Sequence, residues 1–203
     1  MQALLRLSRG IDWLNAQVGK YVIWLIFVAT IVSGLNAVVR KVFHTSSNAF
    51  LEVQWYLFAA SFLLAAGYTL LEKEHVKVDV LNAKLKLRTR VWIDVFGFAI
   101  FLAPMCLLVI YYGVPFFLQA LNSGEMSSNA GGLIRWPVYL MMPLGFGLLL
   151  LQGISEFIKR IAFLMGLIED PTVKIVAKTA EEELAEAILK AEEEAARNGA
   201  KRV

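Results

Sequence analysis

Cysteine is almost missing from this sequence. Cys106 is the one thiol in 203 residues, which excludes an internal disulfide and a CxxC redox pair. Set inside an apolar run, it reads as a small buried thiol. Histidine is nearly as scarce. His44 and His75 both fall between apolar runs, so facing axial histidines for a haem in a helical bundle are excluded. A Cys/His zinc cluster is excluded for want of ligands. The chain has no glycine-rich phosphate loop and no GxSxG motif, and no phosphate motif follows Gly131-Gly132. Net charge is only +3. The basic residues stand beside apolar runs, where phospholipid headgroups rather than nucleic acid would meet them. The catalytic, cofactor and metal sets expected of this chain are therefore empty.

What the chain has instead is apolar length. It is 58% hydrophobic with a mean hydropathy of +0.61, against about 45–50% apolar residues in soluble domains. Four runs, at 21–39, 49–71, 91 to between 111 and 121, and 137–158, reach the roughly 20 residues that a bilayer demands. They lack the alternation of a barrel, so backbone satisfaction in lipid requires helices. The first run exceeds a signal-peptide core, and Asn36-Ala37-Val38-Val39 offers no small-x-small cleavage site, so it reads as a retained span. The expectation is an all-α membrane protein of four transmembrane helices. A cytoplasmic amphipathic segment (1–20) precedes the transmembrane domain (21–165), and an acidic helical cytoplasmic tail (166–203) follows it.

Charge sets the expected orientation. Arg6, Arg9 and Lys20 precede span one. Lys73, Lys77, Lys84, Lys86, Arg88 and Arg90 lie between spans two and three, and Lys159 and Arg160 follow span four. The other side has only Arg40, Lys41 and Arg135. Positive loops stay inside, so both termini are expected in the cytoplasm. Trp92 falls at the inner boundary and Trp136 and Tyr139 at the outer one, as amphipathic rings prefer. Pro104 predicts a kink in span three, and Pro115 marks its expected outer end. Between spans two and three, residues 75–87 interleave apolar and basic side chains, a pattern suited to lying in the headgroup plane. In the tail, Thr179-Ala180-Glu181-Glu182 fits a capping box, and the following Ala, Leu, Glu and Lys favour an amphipathic helix.

Ionisable residues inside spans are the default functional candidates. Glu52, with Gln54 close behind, lies near the outer end of span two, and Asp94 lies near the inner end of span three. Neither is at the midplane, where a substrate or proton path through this chain alone would place polar groups. Glu52 is expected at a partner-facing interface. Asp94 stands at i,i+4 from Arg90, which predicts a local ion pair. Gly34, Gly67, Gly97, Gly145 and Gly147 would permit close helix approach.

Several segments together resemble one family. Leu70-Leu71-Glu72-Lys73-Glu74-His75-Val76-Lys77-Val78-Asp79-Val80-Leu81 is similar to the HVRVD-type segment after span two in the small membrane subunit of tripartite ATP-independent periplasmic transporters. Asn122-Ser123-Gly124-Glu125-Met126-Ser127-Ser128 resembles that family's N-S-x-E-x-S stretch. Arg135-Trp136-Pro137 and Met142-Pro143-Leu144-Gly145-Phe146 resemble the beginning of its fourth span. Glu52 and Trp55 sit where the family has an acidic residue and an aromatic.

The resemblance covers roughly residues 10–165 and leaves the acidic tail outside. It implies a scaffold in the bacterial inner membrane for a large multi-span permease that carries the substrate and coupling sodium ions. A periplasmic solute-binding protein would deliver an organic acid. Glu52, Trp55, Glu125, Arg135 and Trp136 become expected partner-interface residues. His75, Lys77, Asp79 and Asp94 become expected anchors at the inner interface, against lipid or the permease. The alternative is a self-sufficient homo-oligomeric exporter or channel, which would need polar pore-lining residues.

Overall fold

A computed structural model describes residues 1–44, 47–73 and 85–168. Within them the order is α1 (Gln2–Phe43), α2 (Asn48–Leu71), α3 (Leu87–Phe96), a π-helical turn (Gly97–Leu102), α4 (Ala103–Ser123) and α5 (Trp136–Leu164). Helix α3, the π turn and α4 run on without a break. Four helical stretches among the described residues are long and apolar enough to cross a membrane: Gln2–Phe43, Asn48–Leu71, Leu87–Ser123 and Trp136–Leu164. The four expected spans are all present. The amphipathic segment after span two, with His75, Lys77 and Asp79, and the tail helix lie outside the described residues.

Residues 2–20 are helical and run into span one without a break. They are the first half of a 42-residue helix that continues through span one. Nothing in this stretch can stop a helix: it has no proline, and its glycines are isolated. The helix ends at His44, which takes a left-handed φ of 52°. Arg40 and Lys41 in the last turn complement the helix dipole.

Span three has an irregular turn at Pro104 and departs from expectation at Pro115. Ahead of Pro104 the helix widens into the π turn, where the Ala103 amide bonds back to the Phe98 carbonyl. A proline supplies no amide to the carbonyl four residues back, and an adjacent π turn is one way to absorb that defect. Pro115 does not end the span. The helix passes through it to Ser123 and stops at Gly124, whose φ is 62°; a left-handed residue after the last turn is a common helix terminator.

Helix α5 is the hub of the bundle. It packs against α1, α2, α3, the π turn and α4, while α2 lies against both α1 and α5. Glycine makes several of these approaches possible. A Cβ on Gly145 would lie 2.5 Å from the Leu63 carbonyl oxygen, and one on Gly153 would overlap the Leu102 side chain. Gly67 likewise meets Asn15 and Leu148. Gly34, Gly97 and Gly147 face open space instead. Large apolar side chains such as Phe27, Phe62, Phe101 and Tyr111 are exposed on the outside of the spans. Water would penalise that surface, and hydrocarbon would not.

Candidate functional site

The loop between α4 and α5 is folded onto α2. Residues Met126 and Ile134 form an isolated antiparallel bridge. Backbone bonds from Ser127 to Leu133 and from Arg135 to Glu125, each 2.9 Å, close the base of the loop. At its centre lies Glu52, which is 3% exposed. Oε1 accepts bonds from the Ser127 hydroxyl and from Asn129 Nδ2 (2.8 Å), and Oε2 accepts the Leu133 amide at 2.6 Å. A buried carboxylate is tolerated only when donors replace its water, and here three do. Gly132 lets the loop come this close: a Cβ there would lie 2.5 Å from Ser127 Cβ and 2.9 Å from Glu52 Oε1. Asn48 at the start of α2 adds a bond to the Ala130 carbonyl at 2.9 Å, and the Tyr56 hydroxyl reaches the Ile134 carbonyl at 3.2 Å.

Beside this clasp stands an ion pair. Arg135 Nη1 donates to Glu125 Oε1 at 2.9 Å and to the Tyr139 hydroxyl at 3.3 Å. The Tyr139 hydroxyl, then the Glu125 carboxylate, favour the charged guanidinium and push its pKa above the ordinary arginine value. Both side chains remain about one-third exposed. Aromatic rings brace the same end, with Phe116 on Tyr139 (centroids 4.3 Å apart) and Phe117 on Trp136 (6.3 Å). A pocket of about 320 Å³ opens here, lined by Glu52, Trp55, Tyr56, Arg135, Val138 and Tyr139 together with Ser127 and Asn129.

Four of the five expected interface residues are therefore gathered at one end of the bundle in an exposed or half-exposed setting. Trp55 is 62% exposed, and Glu125, Arg135 and Trp136 are partly exposed. Glu52 corrects the expectation: it does not face outward but holds the chain's own loop. Its partners lie 75 to 81 residues away in sequence, and no local pattern around Glu52 announces them.

A second polar cluster lies toward the other end, between α1, α3 and α5. Asn15 Nδ2 donates to Gln152 Oε1 (3.0 Å), and Gln152 Nε2 donates to Asp12 Oδ1 (2.9 Å). Ser155 donates to Asp12 at 2.7 Å and shares a 2.7 Å bond with Ser8. Lys159 pairs with Asp12 (2.8 Å) and Glu156 (2.7 Å). Arg160 pairs with Glu156 and, at 2.9 Å, with Asp94, and its guanidinium lies 4.7 Å from the Phe98 ring centroid. Asn15, Gln152, Ser155, Glu156 and Arg160 are all buried.

Asp94 was expected to pair with Arg90. The structure gives it Arg160 instead, while Arg90 Nε donates to the Leu85 carbonyl at 3.0 Å. The i,i+4 spacing is real, but Asp94 reaches across to α5, where a buried guanidinium requires an anion more than an exposed one does. Sequence reasoning also missed Asp12, Gln152 and Glu156 as a unit. A signal was present: Gln152, Ser155, Glu156, Lys159 and Arg160 share one helical stripe, as do Ser8, Asp12 and Asn15. The described residues hold no group of three or more His, Cys, Asp or Glu placed to bind a metal ion. Every charge in the inner cluster is met by another charge of the chain, so this arrangement clamps helices together.

No curated protein and no solved structure matches the chain. The family described as tripartite ATP-independent periplasmic transporters, DctQ component, matches residues 29–163. The match takes in the Glu52 clasp and the Asp94, Gln152, Ser155, Glu156, Lys159 and Arg160 side of the inner cluster, and it begins in α1 after that helix's Ser8, Asp12 and Asn15. The chain belongs to the DctQ component family of tripartite ATP-independent periplasmic transporters, and is a multi-pass membrane component of a transport system.

Proposed function

We propose that this chain is the fixed membrane scaffold of a sodium-coupled uptake system for organic acids in the bacterial inner membrane, with both termini in the cytoplasm. In this reading a large permease partner carries the substrate and sodium sites, and a periplasmic binding protein docks in part on loop 124–135. The observation that carries the reading is the Glu52 clasp. A surface loop that only connects two spans has no need of a buried carboxylate with three donors. A loop that must present a docking face benefits from being held in one shape, because ordering it on contact would weaken binding. Glu125, Arg135 and Trp136 sit on that held loop or at its end.

The scaffold half of the proposal rests on the internal ion pairs. Helices α1, α3 and α5 are clamped by charges that satisfy one another, which suits a part that keeps its place while a partner slides. The outward faces of the spans are apolar and remain available to lipid and to the permease. The experiment is charge reversal at Glu125 and Arg135, singly, in the complete three-component system. Uptake should fall in each single variant. Unchanged uptake in both would refute the docking role.

A further inference from the structure

We infer that the pocket beside Arg135 is a phospholipid site, with the lipid phosphate on the Arg135 guanidinium and the acyl chains running down the exposed faces of α2 and α5. Three observations lead there. The first is an unused fork of donors. Arginine has five N–H groups, and only Nη1 bonds to Glu125 and Tyr139. Among the described residues, Nε and Nη2 carry no bond, although Arg135 lines the pocket and is one-third exposed. That edge of a guanidinium suits two oxygens of one phosphate.

The second observation is the surface that adjoins the pocket. Trp55, on its rim, begins an exposed stripe of α2 that continues through Phe58 and Phe62, which are 67% and 73% exposed. These three fall at i, i+3 and i+7, on one helix face. On the other wall Val138 is followed one turn later by exposed Met142. A largely apolar pocket that holds one guanidinium and adjoins two apolar helix faces fits a ligand with a charged head and hydrocarbon tails. It does not fit a soluble anion, which would leave those faces uncovered.

The third is the aromatic setting. Trp55, Tyr56 and Tyr139 stand around the charged group at the end of the spans, and such rings settle at the headgroup level of a bilayer. At about 320 Å³, the pocket lies at the small end of ligand sites, which suits a headgroup with its tails left outside.

The test is native mass spectrometry of the complete, detergent-purified chain, delipidated and then offered phosphatidylethanolamine, phosphatidylglycerol, diacylglycerol of the same chains, or inorganic phosphate. One phospholipid should stay bound, with neither diacylglycerol nor free phosphate retained. A charge-assisted pair of bonds predicts that Arg135→Gln lowers retention about tenfold or more. Trp55→Ala should lower it severalfold, and Arg9→Gln, on the exposed first turns of α1, should leave it unchanged. Equal retention of diacylglycerol would overturn the site. So would retention of free phosphate with no lipid, or an Arg135→Gln variant that behaves like Arg9→Gln. If Arg135→Gln does not fold, Trp55→Ala decides: that side chain is exposed, and wild-type retention in its absence would refute the proposal.

Discussion

Replacing Arg160 by Met tests the inner cluster most sharply. The guanidinium is 3% exposed and bonds to Glu156, itself 2% exposed, and to Asp94 at 2.9 Å. Removing one partner of a buried pair typically costs about 3–5 kcal/mol, because a charge is left without compensation in a poor solvent for ions. Here the loss should sit near the lower bound, about 3 kcal/mol, since Glu156 keeps Lys159 at 2.7 Å. That lowers the folded-to-unfolded ratio roughly a hundredfold. Combining Arg160→Met with Glu156→Leu removes both charges and substitutes apolar volume, which in other buried pairs is neutral or stabilising. The double variant should therefore recover much of the single loss. The assay is equilibrium unfolding in mixed micelles for wild type, both single variants and the double, read as a double-mutant cycle. A loss below about 1 kcal/mol for Arg160→Met, the range of exposed ion pairs, would refute the argument. So would a double variant no better than the sum of the singles.

Other outcomes follow from single contacts. Gly132→Ala drives a methyl into Ser127 and Glu52, and should speed hydrogen exchange of the Leu133 amide about tenfold or more while leaving the spans unchanged. Glu52→Gln turns an NH2 toward one or more of the three donors now meeting the carboxylate; the same amide should exchange faster, and uptake by the assembled system should fall with it. Gly145→Ala meets the Leu63 backbone and should cost about 1–3 kcal/mol in the micelle assay. Gly34→Ala meets nothing within 4 Å and should leave stability unchanged or raise it by up to about 1 kcal/mol.

The spans were legible because lipid imposes a simple code. Long apolar runs must be helices, and their lengths are set by bilayer thickness. Their ends were less legible. Residues 1–20 look like a separate amphipathic segment, yet helix continuity is decided by the absence of a breaker and not by a change in polarity. Pro115 reads as a terminator, but one missing donor does not end a helix that neighbouring helices support. The gathering of Glu125, Arg135 and Trp136 at one end was legible from topology alone. Their link to Glu52 was not, since it depends on a loop closing over 75 or more residues of intervening chain. Asp94 shows the general difficulty: a local partner at i,i+4 was visible, and a distant, better-buried partner in Arg160 won.

In the cell, this chain is expected to work as one component of a larger transporter. Affinity capture of the tagged full chain from native membranes under mild detergent, with mass spectrometry of what co-purifies, tests that claim directly. A large multi-span permease should be recovered in near-stoichiometric amount. Recovery of this chain by itself, as a stable homo-oligomer that transports after reconstitution, would contradict it.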